Sequence, residues 1–355
     1  MSFLNLSTVQ ILKLLQQGKS LENQEWQILA SGELIDEKRA LVFNINSANV
    51  RELIEERSLL FQSVISDYNR LPLADNNTLE TLWKLWLPLA IKLAKERQKL
   101  NFPLIYGILG GQGTGKTTLA KILILILSKL GYNTISISID DIYKTYAERQ
   151  LLQKQDSRLI WRGPPGTHDI SLGIEVLEKL RHSFDQNVDN LISIPRFNKS
   201  LFNGAGDRIE PDRVSNVDII LFEGWLVGVR PIPDTVFDRT PPPIITEADR
   251  EFARDMNRKL QDYLPLWEKL DRLMVLYPTD YRFSKQWRLQ AEKQMITSGK
   301  SGMSDNEIEK FVEYFWQALH PELFIKPLIQ NPQFVDLVIE INADHSVGKL
   351  YQPSD

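Results

Sequence analysis

The sequence predicts an α/β fold, a parallel sheet covered by helices, with a helical extension before it. Two observations carry this prediction. From residue 101 onward, short runs rich in β-branched residues alternate with helical segments, which is typical of parallel sheets covered on both faces. Residues 1–100 instead carry apolar residues at helical spacing. We therefore expect a helical N-terminal region over 1–100 and an α/β domain over 101–355.

Two long helices are predicted in the N-terminal region. Asn49 followed by Glu52 forms a capping-box pattern, and apolar residues then recur at roughly helical spacing as far as Pro72. The second helix is predicted in TLETLWKLWLPLAIKLAKERQKL, where Pro88 marks a kink or a boundary. Packing alone requires apolar residues at this spacing, so we expect these faces to be core rather than a ligand site.

Between residues 104 and 119 the chain reads LIYGILGGQGTGKTTL, which is an apolar strand, a glycine-rich loop and the start of a helix. The loop satisfies the P-loop pattern G-x-x-x-x-G-K-[ST]. Its glycines let backbone N–H groups approach an anion, and the helix N-terminus adds its positive dipole end. The sequence therefore predicts a P-loop NTPase-type sheet. We expect nucleotide phosphates to be bound by Gly111, Gln112, Gly113, Thr114, Gly115, Lys116, Thr117 and Thr118.

Acidic residues follow two of the predicted strands, which are PLIYGIL, NTISISID, DIILFE, RLMVLY and VDLVIEI. In an open parallel sheet, ligands lie outside the carboxyl ends of the strands. Asp140 and Asp141 end the strand after the P-loop helix, and Glu223 ends an apolar strand in the manner of a Walker B acid. We expect Lys116 to reach the β- and γ-phosphates, and Thr117 with Glu223 to hold Mg²⁺.

Two segments lack clear helix or strand signals. The segment from Ser193 to Arg213 is rich in Gly, Asn, Asp and Arg, and RPIPDTVFDRTPPPIITE is rich in proline. We expect both to form long surface loops, which inside a compact domain are often functional.

Composition excludes several kinds of site. The 355 residues include no Cys, which rules out disulfides, thiolate metal sites and cysteine nucleophiles. A net charge of −4 and the lack of a basic block give no reason to expect a nucleic-acid partner. The start of the chain shows no signal-peptide pattern, and the longest apolar stretch, Leu119–Leu130, is interrupted by Lys121 and is too short to span a bilayer. We expect a cytoplasmic protein with no membrane partner.

The stretch Asp140-Asp141-Ile142-Tyr143 after a P-loop resembles the phosphoribulokinase, uridine kinase and pantothenate kinase group. Further stretches resemble, over most of residues 100–345, the D-glycerate 3-kinase family of plants, cyanobacteria and fungi: WRGPPGTHD, IPRFNKSLFNGAGDR, FEGWLVGVRP, WRLQAEKQM and GKSGMSDNEIEKFVEYFWQALHP. The resemblance implies transfer of the γ-phosphoryl group of ATP, with Mg²⁺, to D-glycerate. It also implies that Asp140 acts as the general base.

Glycerate, a small carboxylate with two hydroxyls, would need cations and hydrogen-bond partners. Arg196, Lys199 and Arg208 can supply the cations, although each arginine could instead serve a surface ion pair. His168 and Asp169 can orient hydroxyls, and the resemblance adds Tyr143 to the substrate site. These candidates are Asp140, Tyr143, His168, Asp169, Arg196, Lys199 and Arg208.

A lid is predicted at approximately residues 278–300, similar to the lid of nucleoside-monophosphate-kinase-like folds. Arg282 and Arg288 are its candidate residues, and Arg288 with Lys116 would stabilise the transferring charge. The alternative is a solvated basic helix face. Gly299 and Gly302 either flank a moving element or end a helix before a capping box at Ser304 and Glu307.

Two other functions stay open at this point. One is a kinase of another small hydroxyl metabolite, of the uridine or pantothenate type. The other is a nucleotide-switched ATPase or assembly protein, which would have no need of an acceptor base such as Asp140.

Overall fold

The computed structural model describes residues 6–74, 76–182, 191–297 and 303–354. Its helices are α1 (Thr8–Gln16), α2 (Asn23–Leu34), α3 (Glu37–Val42), α4 (Val50–Tyr68), α5 (Asn76–Thr81), α6 (Leu87–Gln98), α7 (Lys116–Lys129), α8 (Tyr146–Gln155), α9 (Ile170–Arg181), α10 (Glu247–Lys259), α11 (Leu264–Trp267), α12 (Phe283–Thr297), α13 (Asp305–Ala318) and α14 (Pro321–Leu328). Its strands are β1 (Leu104–Gly110), β2 (Thr134–Ser138), β3 (Ile192–Asn198), β4 (Asp207–Val214), β5 (Ile219–Gly224), β6 (Arg272–Pro278), β7 (Leu337–Ile341) and β8 (Val347–Tyr351).

Six strands form the central sheet in the order β2-β5-β1-β6-β7-β8. The first five are parallel, and β8 pairs antiparallel with β7 at one edge. All five predicted strands are found, so the predicted α/β fold with a parallel sheet is confirmed. Strand β8 was not among the strands predicted from the sequence.

Helices cover both faces of this sheet, and β1 shows how the alternation of its side chains divides the core. All seven of its residues are buried. Tyr106 and Ile108 point into a core shared with α7 and the N-terminal helices, whereas Ile105 and Leu109 point into a second core that includes residues of α9, α10 and α13. Such burial on both faces is why the strand is continuously apolar rather than alternating.

The expectation of a long loop from Ser193 to Arg213 is wrong. Strands β3 and β4 form a two-stranded antiparallel sheet there, with a register irregularity between Ile194 and Arg196. Ile192 and Ile194 are buried while Ser193 between them is exposed, which is the pattern of a half-buried strand. The glycine and asparagine residues that suggested a loop lie mostly in the turn between the strands, residues 199–206. The composition of the whole segment therefore did not show the alternating pattern of the two strands.

Helix α4 begins at the predicted position but not with the predicted cap. Asn49 precedes its first residue and makes no side-chain capping bond to it. The side chain of Asn49 instead bonds the carbonyl oxygen of Asn44 and the amide of Asn46 in the preceding turn. The helix ends at Tyr68, before the predicted end at Pro72. Near the other end of the chain, the predicted capping box at Ser304 and Glu307 is confirmed; Gly299 and Gly302 lie outside the described residues.

Pro88 marks a change of helical geometry, as predicted. A π-helical turn, Leu82–Trp86, links α5 to α6 immediately before it. Proline has no N–H, so the carbonyl groups one turn earlier lose their helical donor. Two buried guanidinium groups replace it: Arg57 donates to the carbonyl oxygen of Trp83 at 3.3 Å, and Arg39 to that of Lys84 at 3.2 Å.

A buried glutamate balances these two arginines. Glu33 Oε2 lies 2.9 Å from a guanidinium nitrogen of both Arg39 and Arg57, and all three side chains are buried. A buried charge is tolerated only when it is paired and hydrogen-bonded, so this cluster depends on Glu33. Elsewhere, among the described residues, no helix is both long and apolar enough to cross a bilayer.

Replacing Glu33 with Gln should therefore destabilise the fold, because it leaves two buried guanidinium groups with one uncharged partner. The free energy of unfolding should fall by about 3–5 kcal/mol, the range for removing one partner of a buried ion pair. Urea unfolding followed by circular dichroism measures it. Exposed Glu37→Gln is the matched control and should stay within about 0.5 kcal/mol of the wild type. Equal midpoints for the two variants would contradict the role given to Glu33.

Candidate active site

The P-loop connects β1 to α7 and turns twice through positive φ. Gly113 has φ 78° and Gly115 has φ 86°, a region of backbone space that favours glycine. Gly115 is the N-cap of α7, so the first amides of the helix point toward the loop. The Thr114 hydroxyl and the Lys116 ammonium each donate to the carbonyl oxygen of Gly111 at 2.9 Å. Loop and helix N-terminus together have the geometry that binds phosphate groups.

The predicted loop residues do not all face the same space. Gln112, Gly113, Lys116 and Thr117 line the main cleft of the molecule, whereas Thr118 is exposed and is not among the lining residues. Burial lowers the pKa of Lys116 from 10.5, against the opposing effect of neighbouring carboxylates. A cation that is partly withdrawn from water interacts more strongly with an anion placed beside it.

The Thr117 hydroxyl lies against a carboxylate at the end of β5. Thr117 Oγ1 is 3.1 Å from Glu223 Oε1, and Glu223 is buried. Hydroxyl and carboxylate oxygens are the hard ligands that Mg²⁺ takes, usually one or two from the protein with the rest from phosphates and water. The described residues contain no group of three or more His, Cys, Asp or Glu side chains that could hold a metal by themselves. The pair therefore fits a Mg²⁺ ion that a bound nucleotide helps to coordinate.

Asp140 lies in the 3₁₀ turn Ile139–Ile142 directly after β2 and lines the same cleft. Its carboxylate pairs with the ammonium of Lys199 and accepts a hydrogen bond from the Tyr143 hydroxyl. Burial alone would raise the pKa of Asp140, but Lys199 and Tyr143 hold it below the ordinary value of 3.8. Burial, with the charge of Asp140, raises the pKa of Tyr143 well above 10. Asp140 is thus an ionised carboxylate at neutral pH, able to accept a proton.

Asp141, one residue later, has a different environment. Its Oδ2 accepts the Ser138 amide at 2.9 Å and pairs with Arg196, also at 2.9 Å. Arg196 in turn pairs with Asp212 at 2.7 Å. Neither Asp141 nor Arg196 lines the cleft. The two aspartates thus lie in the same 3₁₀ turn but have different partners, and Arg196, predicted as a substrate cation, is held by Asp141 of that turn and by Asp212 of β4.

His168, Asp169 and Arg208 form a layer behind Tyr143. The buried ring of His168 stacks on that of Tyr143 at 4.6 Å, and its Nδ1 lies 2.6 Å from the Tyr263 hydroxyl. Burial lowers the pKa of His168 to about 3, so the imidazole is neutral. Asp169 caps α9 and pairs at 2.9 Å with Arg208, which also donates to the Tyr143 carbonyl oxygen. None of these three lines the cleft; the layer supports Tyr143 from behind.

Two arginines that the sequence analysis did not select do line the cleft. Arg149 lies on α8, and Arg162 lies in the loop before α9. Within the described residues, no carboxylate comes within 4 Å of either guanidinium group. Arg162 is part of the stretch WRGPPGTHD, but nothing in the sequence distinguishes an arginine with an acidic partner from one without. That distinction needs the three-dimensional structure.

Helix α12 lies against the P-loop from the side of the predicted lid. Trp287 packs so closely on Gly113 that a Cβ on this glycine would lie 2.5 Å from the Cβ of Trp287. Arg288 lines the cleft and pairs with the buried Glu292 at 2.8 Å. Arg282 precedes α12, is exposed and pairs with a neighbouring aspartate. Of the two predicted lid arginines, the structure therefore brings only Arg288 to the cleft.

The cleft has a volume of about 1450 Å³. A typical pocket for one small molecule has roughly 300–1,000 Å³, so this cleft has room for a nucleotide and a second small molecule. Lys116 and Thr117 line it together with Asp140 and Lys199. The groups predicted to bind phosphate and the carboxylate predicted to accept a proton thus line the same cleft, as transfer of a phosphoryl group to a hydroxyl requires.

Comparison with known proteins finds kinases. The chain is 32% identical over 256 residues to the chloroplastic D-glycerate 3-kinase of Arabidopsis thaliana, across 69% of this chain and 54% of that protein. It is also 32% identical over 260 residues to the uncharacterized kinase mug58 of Schizosaccharomyces pombe, across 70% of this chain and 92% of the relative. Among solved structures, D-glycerate 3-kinase from Cryptococcus neoformans matches with a TM-score of 0.65 and 27% identity, covering 74% of this chain and 96% of that one.

The matched part of the chain spans about half the length of the Arabidopsis protein and most of the fungal ones. No family model matches the sequence. The resemblance seen in the motifs is confirmed by these relatives, whose identity and coverage extend well beyond the P-loop. The chain belongs to the family of P-loop kinases that includes D-glycerate 3-kinase.

Proposed function

We propose that this protein transfers the γ-phosphoryl group of ATP to a hydroxyl of D-glycerate, giving 3-phosphoglycerate and ADP. The observation that carries the proposal is the position of Asp140, an ionised carboxylate in the same cleft as the P-loop lysine. In the step, the acceptor oxygen forms a bond to the γ-phosphorus and its proton passes to Asp140. The bond between the γ-phosphorus and the bridging oxygen breaks, and ADP leaves with that oxygen.

The other residues would hold charge in place during this transfer. Lys116 would bind the transferring phosphoryl group, where negative charge is spread over the equatorial oxygens. Arg288, which α12 brings to the cleft, can add a second cation. Thr117 and Glu223 would hold Mg²⁺, which when bound neutralises charge on the β- and γ-phosphates.

Two observations favour D-glycerate over the other candidates. Relatives in the family are named for this substrate. The cleft around Asp140 also carries more positive than negative side chains, which suits an anionic acceptor better than a neutral nucleoside. A nucleotide-switched ATPase would give no role to a carboxylate held ionised beside the P-loop.

The Arabidopsis relative is named as chloroplastic, so a cytoplasmic location stays a prediction for this chain. The absence of a nucleic-acid partner also stays a prediction.

A panel of acceptors separates the candidate functions. ADP release should be stimulated by D-glycerate and not by uridine or pantothenate. Turnover of uridine but not of glycerate would assign the chain to another kinase activity. Hydrolysis indifferent to every metabolite but raised by a protein partner would instead support the switch.

Replacing Lys116 with Ala should lower kcat by roughly 10²-fold or more with any acceptor, because it removes a charge needed most in the transition state. A coupled ADP-release assay measures it. Exposed Lys121, on the same helix, gives the control Lys121→Ala, which should keep wild-type turnover. Near-normal turnover in a folded Lys116→Ala protein would rule out the phosphate-binding role of the loop.

Replacing Asp140 with Asn should lower kcat by about 10²–10⁴-fold and leave nucleotide affinity nearly intact, because the change keeps the size of the side chain but removes the base. Asp141→Asn is the matched control. It should mainly weaken the turn and the contact with Arg196, which lowers the melting temperature more than kcat. A dead Asp141→Asn enzyme beside an active Asp140→Asn enzyme would show that the base is the other aspartate.

The pH dependence of kcat/KM tests the same assignment. The pKa of Asp140 is held below 3.8, so this carboxylate stays deprotonated across the neutral range and is lost as a base only as the pH falls toward that lowered pKa. His168 has a pKa of about 3 and does not titrate there either. The acidic side of the profile should therefore be flat down to about pH 5. In kcat/KM for the acceptor, measured at saturating ATP and Mg²⁺, an inflection at about pH 6.5, the ordinary range of histidine, would indicate a different base.

A further inference from the structure

The part of the cleft around Asp140 carries more positive than negative side chains. Asp140 itself is paired with Lys199, and Glu292 is paired with Arg288. Arg149 and Arg162 are left without an acidic partner within 4 Å among the described residues. Arg149 is buried and Arg162 lies near it at the cleft, so the two guanidinium groups together provide a positively charged surface that suits an anion.

Arg149 supplies charge but has few free donors. It is buried, and its guanidinium group donates to the carbonyl oxygens of Lys144, Ala205 and Gly206. Burial lowers its pKa, as does the positive charge of nearby Arg162. Its bonds fix α8 to the turn between β3 and β4, so Arg149 is a positioning residue whose charge adds to the field of the cleft.

Arg162 has the donors that Arg149 lacks. A single guanidinium nitrogen donates to a protein acceptor, the carbonyl oxygen of Gly204. The remaining N–H groups are not buried, and the residue lines the cleft. A guanidinium fork with free donors matches the two oxygens of a carboxylate.

Tyr143 links this arginine to the candidate base. Its hydroxyl is hydrogen-bonded to the Asp140 carboxylate, and the positive charge of Arg162 acts on the same hydroxyl. Phe197 packs against the ring of Tyr143 and lies 5.6 Å from the Arg162 guanidinium carbon. An acceptor with its carboxylate on Arg162 would therefore lie beside Tyr143, with its far hydroxyl toward Asp140.

We propose that Arg162 binds the carboxylate of the acceptor, positioned by the turn that Arg149 holds, and so restricts the enzyme to anionic acceptors. This inference rests on the proposed kinase function but not on glycerate being the acceptor. It also replaces the expectation that Arg196 and Arg208 bind the carboxylate, because each of these pairs with aspartates outside the cleft.

The test compares charged and neutral acceptors that carry the same hydroxyl groups: D-glycerate with glycerol, and pantothenate with panthenol. KM and kcat for each acceptor, and KM for ATP, are measured for the wild type, Arg162→Gln and Arg162→Lys. Arg158→Gln is the matched control, because Arg158 lies in the same segment but pairs with Asp156 and Asp255 and does not line the cleft. Melting temperatures check that each variant is folded.

The expected result is that Arg162→Gln raises KM for the anionic acceptor about 10- to 100-fold, the range for losing a hydrogen bond to a charged group. KM for ATP should not change, and the preference over the neutral acceptor should collapse. Arg162→Lys should recover part of the affinity, since it keeps the charge but not the fork. Arg158→Gln should behave as the wild type.

The other outcomes separate this inference from the proposed function. If glycerate is phosphorylated and a folded Arg162→Gln enzyme keeps its preference for the anion, the role of Arg162 is wrong and the function stands. If pantothenate is the acceptor and its preference depends on Arg162, the glycerate assignment is wrong and the role stands. A raised KM for ATP alone would place Arg162 on the nucleotide, and a wild-type preference for neutral acceptors would overturn the anion site altogether.

Discussion

The parallel pairing of β5 between β1 and β2 is the constraint on which the candidate site depends. In this register Glu223 lies beside Ile108 of β1 on one side and Ser138 of β2 on the other. The P-loop begins two residues after Ile108, and Asp140 follows two residues after Ser138. One strand therefore sets the separation of the P-loop, the proposed magnesium ligand Glu223 and the proposed base Asp140. A shift of register by one residue would turn the Glu223 side chain to the opposite face of the sheet.

The hairpin of β3 and β4 gives the adjacent aspartates Asp140 and Asp141 different ion-pair partners. Arg196 reaches Asp141 from β3, and Lys199 reaches Asp140 from the turn that follows. Burial raises the pKa of Asp141 even with Arg196 beside it, whereas the pKa of Asp140 is lowered. The ion pair between Lys199 and Asp140 thus both joins the hairpin to the 3₁₀ turn and helps to keep the acid that faces the cleft ionised. Structure and proton chemistry depend here on the same contacts.

The sequence predicts those parts of the fold that local patterns determine. The strand, glycine-rich loop and helix around Lys116 follow one another in the chain, and Glu223 lies at the end of an apolar run that is typical of a buried parallel strand. The hairpin was missed because the pairing of two polar strands depends on contacts with α9 and the 3₁₀ turn, which are distant in sequence. Strand β8 was missed for a different reason: its partner β7 is close in sequence, but β8 is short and only its Leu350 is buried, so it lacks the apolar run that marks the other strands.

The assignment of arginines could not be predicted at all from the sequence. Arg196, Arg208 and Arg162 all lie in segments that resemble the family, and each has the same chemistry. Their roles differ because Asp141 and Asp169 lie next to the first two, whereas the third faces a carbonyl and open space. Which acid lies beside which base is a long-range property of the fold. A motif can therefore locate a substrate site without showing which of its cations is free.

The contact between α12 and the P-loop shows a similar limit. Gly113 has a positive φ that suits phosphate binding, which explains the glycine from the motif alone. The structure adds a second requirement, because any Cβ at this position would overlap the Cβ and ring of Trp287. Trp287 is itself fixed by its indole N–H, which donates to the carbonyl oxygen of Ala343 in the loop after β7. Gly113 thus contacts Trp287 of α12, and Trp287 contacts the loop after β7. A side chain at position 113 would displace α12 as well as narrow the space in which the loop is predicted to bind phosphates.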